Sequence, residues 1–273
     1  MSVLEQTPGL LEAVRGEMTP KFLATRSSSG MPNVVPLISM LPAEDRPDTL
    51  FFGNFLLRKT IRNLNEDTRV GILVITPELR GWVLKGDFVE FQQTGPYVER
   101  QMSGSLLRYN AYTGIRNAGV LHVRSAEQAF EIAKPQVMKD YVLARLAALM
   151  PRRAGQGTSV PLPVRQEFAR MVAVKVLAWI GQDAYPAVIP ALSLQPCGEQ
   201  TLVYWRNSRL PEPSQNAAVA VNILTTEAIS YQAKGEWRTR GRAASVIVHQ
   251  VYAGGPPLPG GLLTHRPMNV PNA

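Results

Sequence analysis

Arg58, Lys59 and Arg62 place three cations within five residues of the segment FLLRKTIRNLNEDTR (55–69). In the same segment Leu57, Ile61 and Leu64 recur at the spacing of one helical face, which predicts a short helix burying that stripe. On such a helix Arg58 and Arg62 stand one turn apart in the opening turns, with Lys59 beside them. Like charges at that spacing repel, and a helix N-terminus already carries about half a positive charge. Binding an anion would relieve the conflict, and a phosphate on a helix N-terminus is the usual arrangement. A solvated face partly neutralised by Glu66 and Asp67 is the other reading, and the segment alone leaves both open.

No other side chain declares itself as a catalytic acid, base or nucleophile, so the catalytic set is unknown from sequence. His122 in GVLHVR and His249 in VIVHQV read as strand residues with structural roles; two histidines at comparable strand ends are also a conceivable haem pair. Cys197 is the only cysteine, which excludes an internal disulfide and a cysteine-based metal cluster. Tyr109 and Tyr112, in RYNAYTG, suit either a lid over a ligand or packing against the rest of the chain.

The elements that must position the cations are spelled twice. PNVVPLISM (32–40) returns as PAVIPALSL (186–194), with both prolines and the serine kept in place. Upstream, Leu23 and Ala24 fall on Leu177 and Ala178. Downstream, TLFFGN (49–54) meets TLVYWR (201–206), and VGILVITPELRGWVLKGDF (70–88) meets VAVNILTTEAISYQAKGEW (219–237). A chain with such self-similarity is a tandem duplication. Strand signals lie at 21–26, 33–41, 49–54, 69–76 and 81–91, with closing strands at 118–124 and 244–252. Five or six short strands per copy suggest a small barrel, which removes exposed edges. Pro36 and Pro190 cannot donate to a ladder, so their shared position marks a bulge or a split. Residues 125–150 read as helical, with Ser125 and Gln128 as a capping box and Pro135 as a break or restart. Residues 151–163 are the linker. The copies diverge between their third and fourth strands, where the second copy has NSRLPEPSQNAA (207–218), whose prolines and Glu212 replace the basic helix.

At 273 residues, 45% hydrophobic and 18% charged, the composition is that of a soluble globular protein. No apolar run is long enough for a membrane span and no secretory signal is evident, so a cytoplasmic location is expected. The net charge of +8 is scattered among acids; PRR (151–153) is its densest spot. That distribution disfavours nucleic acid and suits a small anionic ligand.

With these residues in view, the chain resembles the pyridoxamine 5'-phosphate oxidase-like proteins, the FMN-binding split barrels. The resemblance is clearest over residues 20–92, through ATRSSSGMPNVVPLISM, TLFFGN, RKTIRNLNEDTRVGILVI and RGWVLKG. It implies a mainly β (α+β) fold of two tandem split β-barrels joined by a helical connector. The expected division is 1–124 for the first barrel, 125–163 for the connector and 164–273 for a degenerate second barrel. By position the resemblance implies that Arg58, Lys59 and Arg62 clamp the FMN phosphate, with Thr60 nearby. Pro36, Leu37, Ile38, Ser39, Phe52, Gly53 and Asn54 would line the ribityl chain and ring, and Trp82 would lie within reach of the flavin. Leu57 stands where many relatives have a small hydroxyl residue, Gly81 where the oxidases have a cofactor-contacting glutamine, and GGLLTHRPMNV offers only His265 and Arg266 toward their substrate motif. The vitamin-B6 reaction is therefore disfavoured. The resemblance points instead to an FMN-dependent oxidoreductase taking hydride from a nicotinamide or other small-molecule substrate. The alternatives are a non-catalytic flavin or haem carrier, or a reductase using the deazaflavin F420. The fused barrels would form an intrachain pseudo-dimer with one flavin per chain, and the fused chain could itself form a homodimer.

Overall fold

The computed structural model describes residues 2–55, 57–104, 115–127, 130–149, 157–254 and 261–265. The chain forms two compact units, Met1–Lys134 with Ile180–Ile189, and Pro135–Trp179 with Pro190–Ala273.

In the first copy the strands are β1 (Lys21–Arg26), β2 (Pro32–Pro36), β3 (Leu41–Pro42), β4 (Thr49–Gly53), β5 (Arg69–Ile75), β6 (Arg80–Gln92), β7 (Ala118–Ala126) and β8 (Phe130–Glu131). In the second they are β9 (Val174–Ile180), β10 (Pro186–Pro190), β11 (Gln195–Cys197), β12 (Thr201–Trp205), β13 (Ala218–Leu224), β14 (Ser230–Arg240), β15 (Ala243–Ala253) and β16 (Leu262–His265). The first sheet runs β2-β1-β5-β6-β7-β4-β3 and the second β10-β9-β13-β14-β15-β12-β11, the same order strand for strand. The duplication read from the sequence is therefore a duplication of topology. β8 and β16 lie off these paths, on β6 and β15 respectively.

Each path begins and ends with strands adjacent in sequence, which is where the sheet curls back on itself. Pro36 is the last residue of β2, and the chain turns there toward β3. The next amide takes over the pairing that proline cannot make, Leu37 N donating to Lys21 O at 2.7 Å, and Met40 N closes the turn on Leu37 O at 3.2 Å. The second copy repeats this after Pro190: Ala191 N donates to Lys175 O at 2.7 Å and Leu194 N to Ala191 O at 2.9 Å. The single strand expected over 33–41 is thus two strands on opposite edges, with the shared proline at the departure point.

The repeated Lys-Gly pair has an equally local cause. Pairing of β6 with β7 shifts register between Lys85 and Gly86, and pairing of β14 with β15 shifts between Lys234 and Gly235. A Cβ on Gly86 would strike the His122 carbonyl, and one on Gly235 the Ile247 carbonyl. Glycine is needed at both bulges for close backbone approach.

The first core gathers Leu23, Leu50, Phe52, Ile72, Val74, Trp82, Leu84 and Leu121. Two short helices before β1, α1 (Val3–Gln6) and α2 (Leu10–Arg15), add Leu4, Leu10, Ala13 and Val14 to it. The helices α3 (Arg58–Glu66) and α4 (Pro96–Met102) complete this copy, and α5 (Lys134–Leu149) and α6 (Leu162–Phe168) precede β9. The helical reading of 125–150 is corrected here. Ser125 lies in β7 opposite Lys85, so it caps no helix, and α5 begins only at Lys134, with Pro135 in its first turn. Gln128 and the linker residues 151–156 lie outside the described residues. No helix among the described residues is long and apolar enough to cross a membrane.

Candidate functional site

The predicted basic helix is α3, Arg58–Glu66. Its buried face is not the Leu57/Ile61/Leu64 stripe but Thr60, Asn63 and Leu64. Buried Thr25 of β1 and Asn33 of β2 explain the difference: Asn63 Nδ2 donates to Thr25 Oγ1 at 3.0 Å and Asn33 Nδ2 to Thr60 Oγ1 at 3.3 Å. Two side-chain hydrogen bonds bolt the helix to the sheet, and Thr60 faces the strands. Leu57 and Ile61 are left half-buried.

This bolting fixes where the cations stand. The N-terminus of α3 has no side-chain cap and no acid in its first turn, so no carboxylate of its own offsets the partial positive charge of that end. Arg58 is exposed and has no acidic partner among the described residues. Lys59 is half-buried, and burial together with the neighbouring Arg62 charge lowers its pKa to about 8. Arg62 is exposed and lies 3.8 Å from Glu66, one turn along. Glu66 also accepts from Ser28 N at 2.9 Å, and that bond is the main cause of its lowered pKa. Asp67, the other acid expected to neutralise the cluster, instead holds Arg69 at 2.7 Å and Arg26 at 3.1 Å. Neutralisation reaches the far end of the helix and stops short of Arg58.

The end of β4 joins this helix terminus through Asn54. Its Oδ1 accepts from Leu57 N at 3.5 Å, and its Nδ2 donates to Asn117 Oδ1 at 3.1 Å. One residue earlier, Gly53 N donates to Ser39 Oγ at 3.2 Å, while Gln101 Nε2 of α4 donates to Ser39 O at 2.7 Å. Ser39, Gly53, Asn54 and the start of α3 are therefore one hydrogen-bonded run. Pro36 and Ile38 are partly exposed beside it in sequence, whereas Leu37 and Phe52 are buried in the core and can offer a ligand only their main chain. Gln101 and Asn117 were missed by sequence reasoning. Each is a lone amide whose partner is distant in the chain, a signal that periodicity does not carry.

Trp82 is a correction. It is 2% exposed, its indole N–H donates to Pro8 O at 3.2 Å, and the Arg80 guanidinium stacks on its ring. The unpredicted segment before β1 encloses it, leaving no face for a flavin. Gly81 has the Phe130 ring against it.

In the second copy no helix lies between β12 and β13. Arg206 is paired with Glu212 at 2.6 Å and donates to Gly241 O at 2.7 Å, so its charge is answered within the fold. The histidines are not a matched pair either. His122 lies opposite Thr49 on β4; the residue opposite the corresponding Thr201 on β12 is Ile247, not His249. Among the described residues no group of three or more His, Cys, Asp or Glu could hold a metal ion. Tyr109, Tyr112 and Arg266 lie outside the described residues, and the His265 side chain is likewise not described.

Comparison with known proteins adds the following. No family model matches the chain, and no curated protein does. Solved structures do: an FMN-binding protein from Syntrophomonas wolfei, 16% identical over 48% of this chain and 88% of its own, with a TM-score of 0.39. A putative pyridoxamine 5'-phosphate oxidase from Lactobacillus delbrueckii is 19% identical over 45% and 92%, with a TM-score of 0.33. The heme storage protein HutZ from Vibrio cholerae is 13% identical over 48% and 95%, with a TM-score of 0.35. The chain resembles the FMN-binding split barrels. Its fold is mainly β, two antiparallel sheets of one strand order, as two tandem split barrels require.

Proposed function

We propose that the chain is an FMN-binding flavoprotein of redox function, holding one flavin per chain through the N-terminus of α3. The observation that carries this reading is the uncapped, acid-free start of α3, with Arg58 beside it unpaired among the described residues. A phosphate dianion fits there: it complements the helix dipole at an end with no side-chain cap and pairs with Arg58 in a fork. Lys59 adds a second cation, and Arg62 stays with Glu66 unless the ligand draws it away. The Ser39 hydroxyl accepts from Gly53 N, leaving its own proton for a ligand oxygen. The ends of β2 and β4 contribute backbone and the partly exposed Pro36 and Ile38.

When bound, FMN supplies the hydride and electron transfer, at flavin N5; the protein supplies orientation and exclusion of water. The reading needs no catalytic acid or base from this chain. A reduced nicotinamide or small organic reductant is the donor this chemistry implies.

The test is the double variant Arg58→Ala/Lys59→Ala, purified beside the parent and reconstituted with FMN. The parent is expected to bind one flavin per chain, with a flavin absorbance spectrum, and the variant to lose it while keeping its far-ultraviolet circular dichroism. Retained flavin in the variant, two flavins per chain, or a haem or deazaflavin spectrum in the parent overturns the reading. Stopped-flow mixing with NADH and NADPH then separates an oxidoreductase from a carrier, because a carrier's flavin is reduced by neither.

A further inference from the structure

Lys21 and Lys175 occupy matching places in the two copies, each with its carbonyl paired to the amide that follows the shared proline. Both residues are completely buried. Lys21 Nζ has oxygen partners, donating to Gly16 O at 2.8 Å and to Ile38 O at 3.4 Å. Gly16 is the C-cap of α2, so this ammonium sits where a helix C-terminus attracts a cation.

The second copy has the same seat with a different occupant. There α6 stands in the place of α2, and its C-cap is Ala169. Tyr141, on α5, donates its hydroxyl to Ala169 O at 2.6 Å. Lys175 Nζ has no hydrogen-bond partner and lies 5.5 Å from the centre of the Tyr141 ring. A buried amine without a partner is costly when charged, because only its neutral form avoids the desolvation penalty. Burial accordingly lowers the pKa of Lys21 to about 8, with the Glu17 charge opposing, and that of Lys175 to about 7, with burial as the sole cause.

No charge on the surrounding elements stabilises Lys175. On α5, Asp140 accepts from Gln136 Nε2 at 2.7 Å. Beyond α6, Arg170 is committed to Glu167 and Glu227. The facing residue on β13 is Ile223. Meanwhile α5 is held by few polar contacts: the Tyr141 hydroxyl, Gln195 Nε2 on the Tyr141 carbonyl at 2.8 Å, and Cys197 Sγ on the Ala148 carbonyl at 3.3 Å. Behind these, Ala144 and Ala147 pack on Val203.

We propose that Tyr141 and Lys175 form a proton-driven latch on α5: on gaining a proton, Lys175 displaces the Tyr141 hydroxyl from the Ala169 carbonyl, taking the seat Lys21 holds in the first copy, and α5 loosens. The step is a proton uptake and an exchange of hydrogen-bond donors, with no bond made or broken in the chain. The direction follows from the shift. Lys175 is held below the ordinary lysine range, so the closed arrangement is favoured at high pH and loses stability as pH falls toward about 7, where the loss is complete.

Hydrogen–deuterium exchange of the full chain, corrected for intrinsic rates, reads the latch in peptides covering α5. Between pH 8.5 and pH 6, α5 protection is expected to fall on the order of tenfold, while α2, whose lysine is already seated, does not lose protection. Lys175→Met is expected to abolish the α5 dependence. Tyr141→Phe keeps the ring but vacates the carbonyl, so the Lys175 midpoint, followed by NMR of its side chain, should rise by roughly one pH unit. That measurement decides the matter even if Lys175→Met does not fold. PH-independent α5 protection in the parent, dependence surviving Lys175→Met, or an unmoved midpoint in Tyr141→Phe overturns the latch.

Discussion

On leaving β4 the first copy turns into α3, a helix bolted to the sheet by Thr60 and Asn63, with Arg58 at its start unpaired among the described residues. On leaving β12 the second copy forms no helix, and its arginine is matched to Glu212 and a backbone carbonyl. Both copies nevertheless build the same sheet. The basic helix is therefore dispensable to the sheet order, and the exposed Arg58, which has no acidic partner among the described residues, needs a reason outside folding. An exposed arginine without an acidic partner among the described residues, at a helix start that the sister copy lacks, is where a ligand is to be sought.

The largest expected effect probes that asymmetry. Removing Arg58 and Lys59 deletes two charge-assisted bonds, and at about 1.5–3 kcal/mol each the FMN affinity should fall by roughly two to four orders of magnitude. The mirrored variant Arg206→Ala/Arg209→Ala should leave flavin content unchanged when measured by absorbance against protein mass. Equal losses in both variants would break the comparison.

A second prediction tests the similarity of the copies rather than their difference. Gly86→Ala and Gly235→Ala each drive a Cβ into a backbone carbonyl across a bulge, so each should destabilise by about 1–3 kcal/mol or more. Urea denaturation of each variant measures this. One tolerated and one damaging substitution would mean that the bulges do not share a structural role.

Those glycines also show why some of the fold was legible and some was not. Strands announce themselves through runs such as RVGILVI, and two copies of one pattern reinforce each other, so β1 is Lys21–Arg26 as expected and Pro36 and Pro190 mark the split. The short helices α1, α2 and α4 carry too few turns for a period to register. Residues 125–133 failed because Ser125 is a cap only if a helix follows, and here β7 continues through it. In the site, the cluster of charge was readable, since charge pattern is local. What faces the sheet was not: Thr60 and Asn63 outrank the apolar stripe because of partners on β1 and β2 more than 25 residues earlier in the chain. Trp82 was misassigned for the same reason, its cover coming from Pro8.

A smaller effect separates charge from helix. Glu212→Gln frees Arg206 of its carboxylate without creating a helix terminus. If an uncompensated arginine alone sufficed, the variant would gain a second flavin; the expectation is an unchanged stoichiometry and a stability loss of about 1 kcal/mol or less, the pair being partly solvated.

The smallest effect is the pH dependence that Lys59 confers. Burial and the Arg62 charge lower its pKa to about 8, so below that pH it carries the proton that a phosphate oxygen accepts, and above it the donor is lost. FMN affinity should therefore decline from pH 7 to pH 9.5, on the order of tenfold. Stability of the flavin-free protein runs the other way. A lysine depressed in the fold binds its proton more tightly when unfolded, so between about 8 and the ordinary lysine value of 10.5 stability increases with pH. The opposed slopes distinguish a phosphate-binding Lys59 from general loosening at alkaline pH, which would weaken both. Lys59→Met should flatten the affinity profile and leave the Lys21 and Lys175 contributions to stability in place. An affinity profile equally steep in that variant would move the titrating donor to another residue and reduce the clamp to Arg58 and the helix terminus.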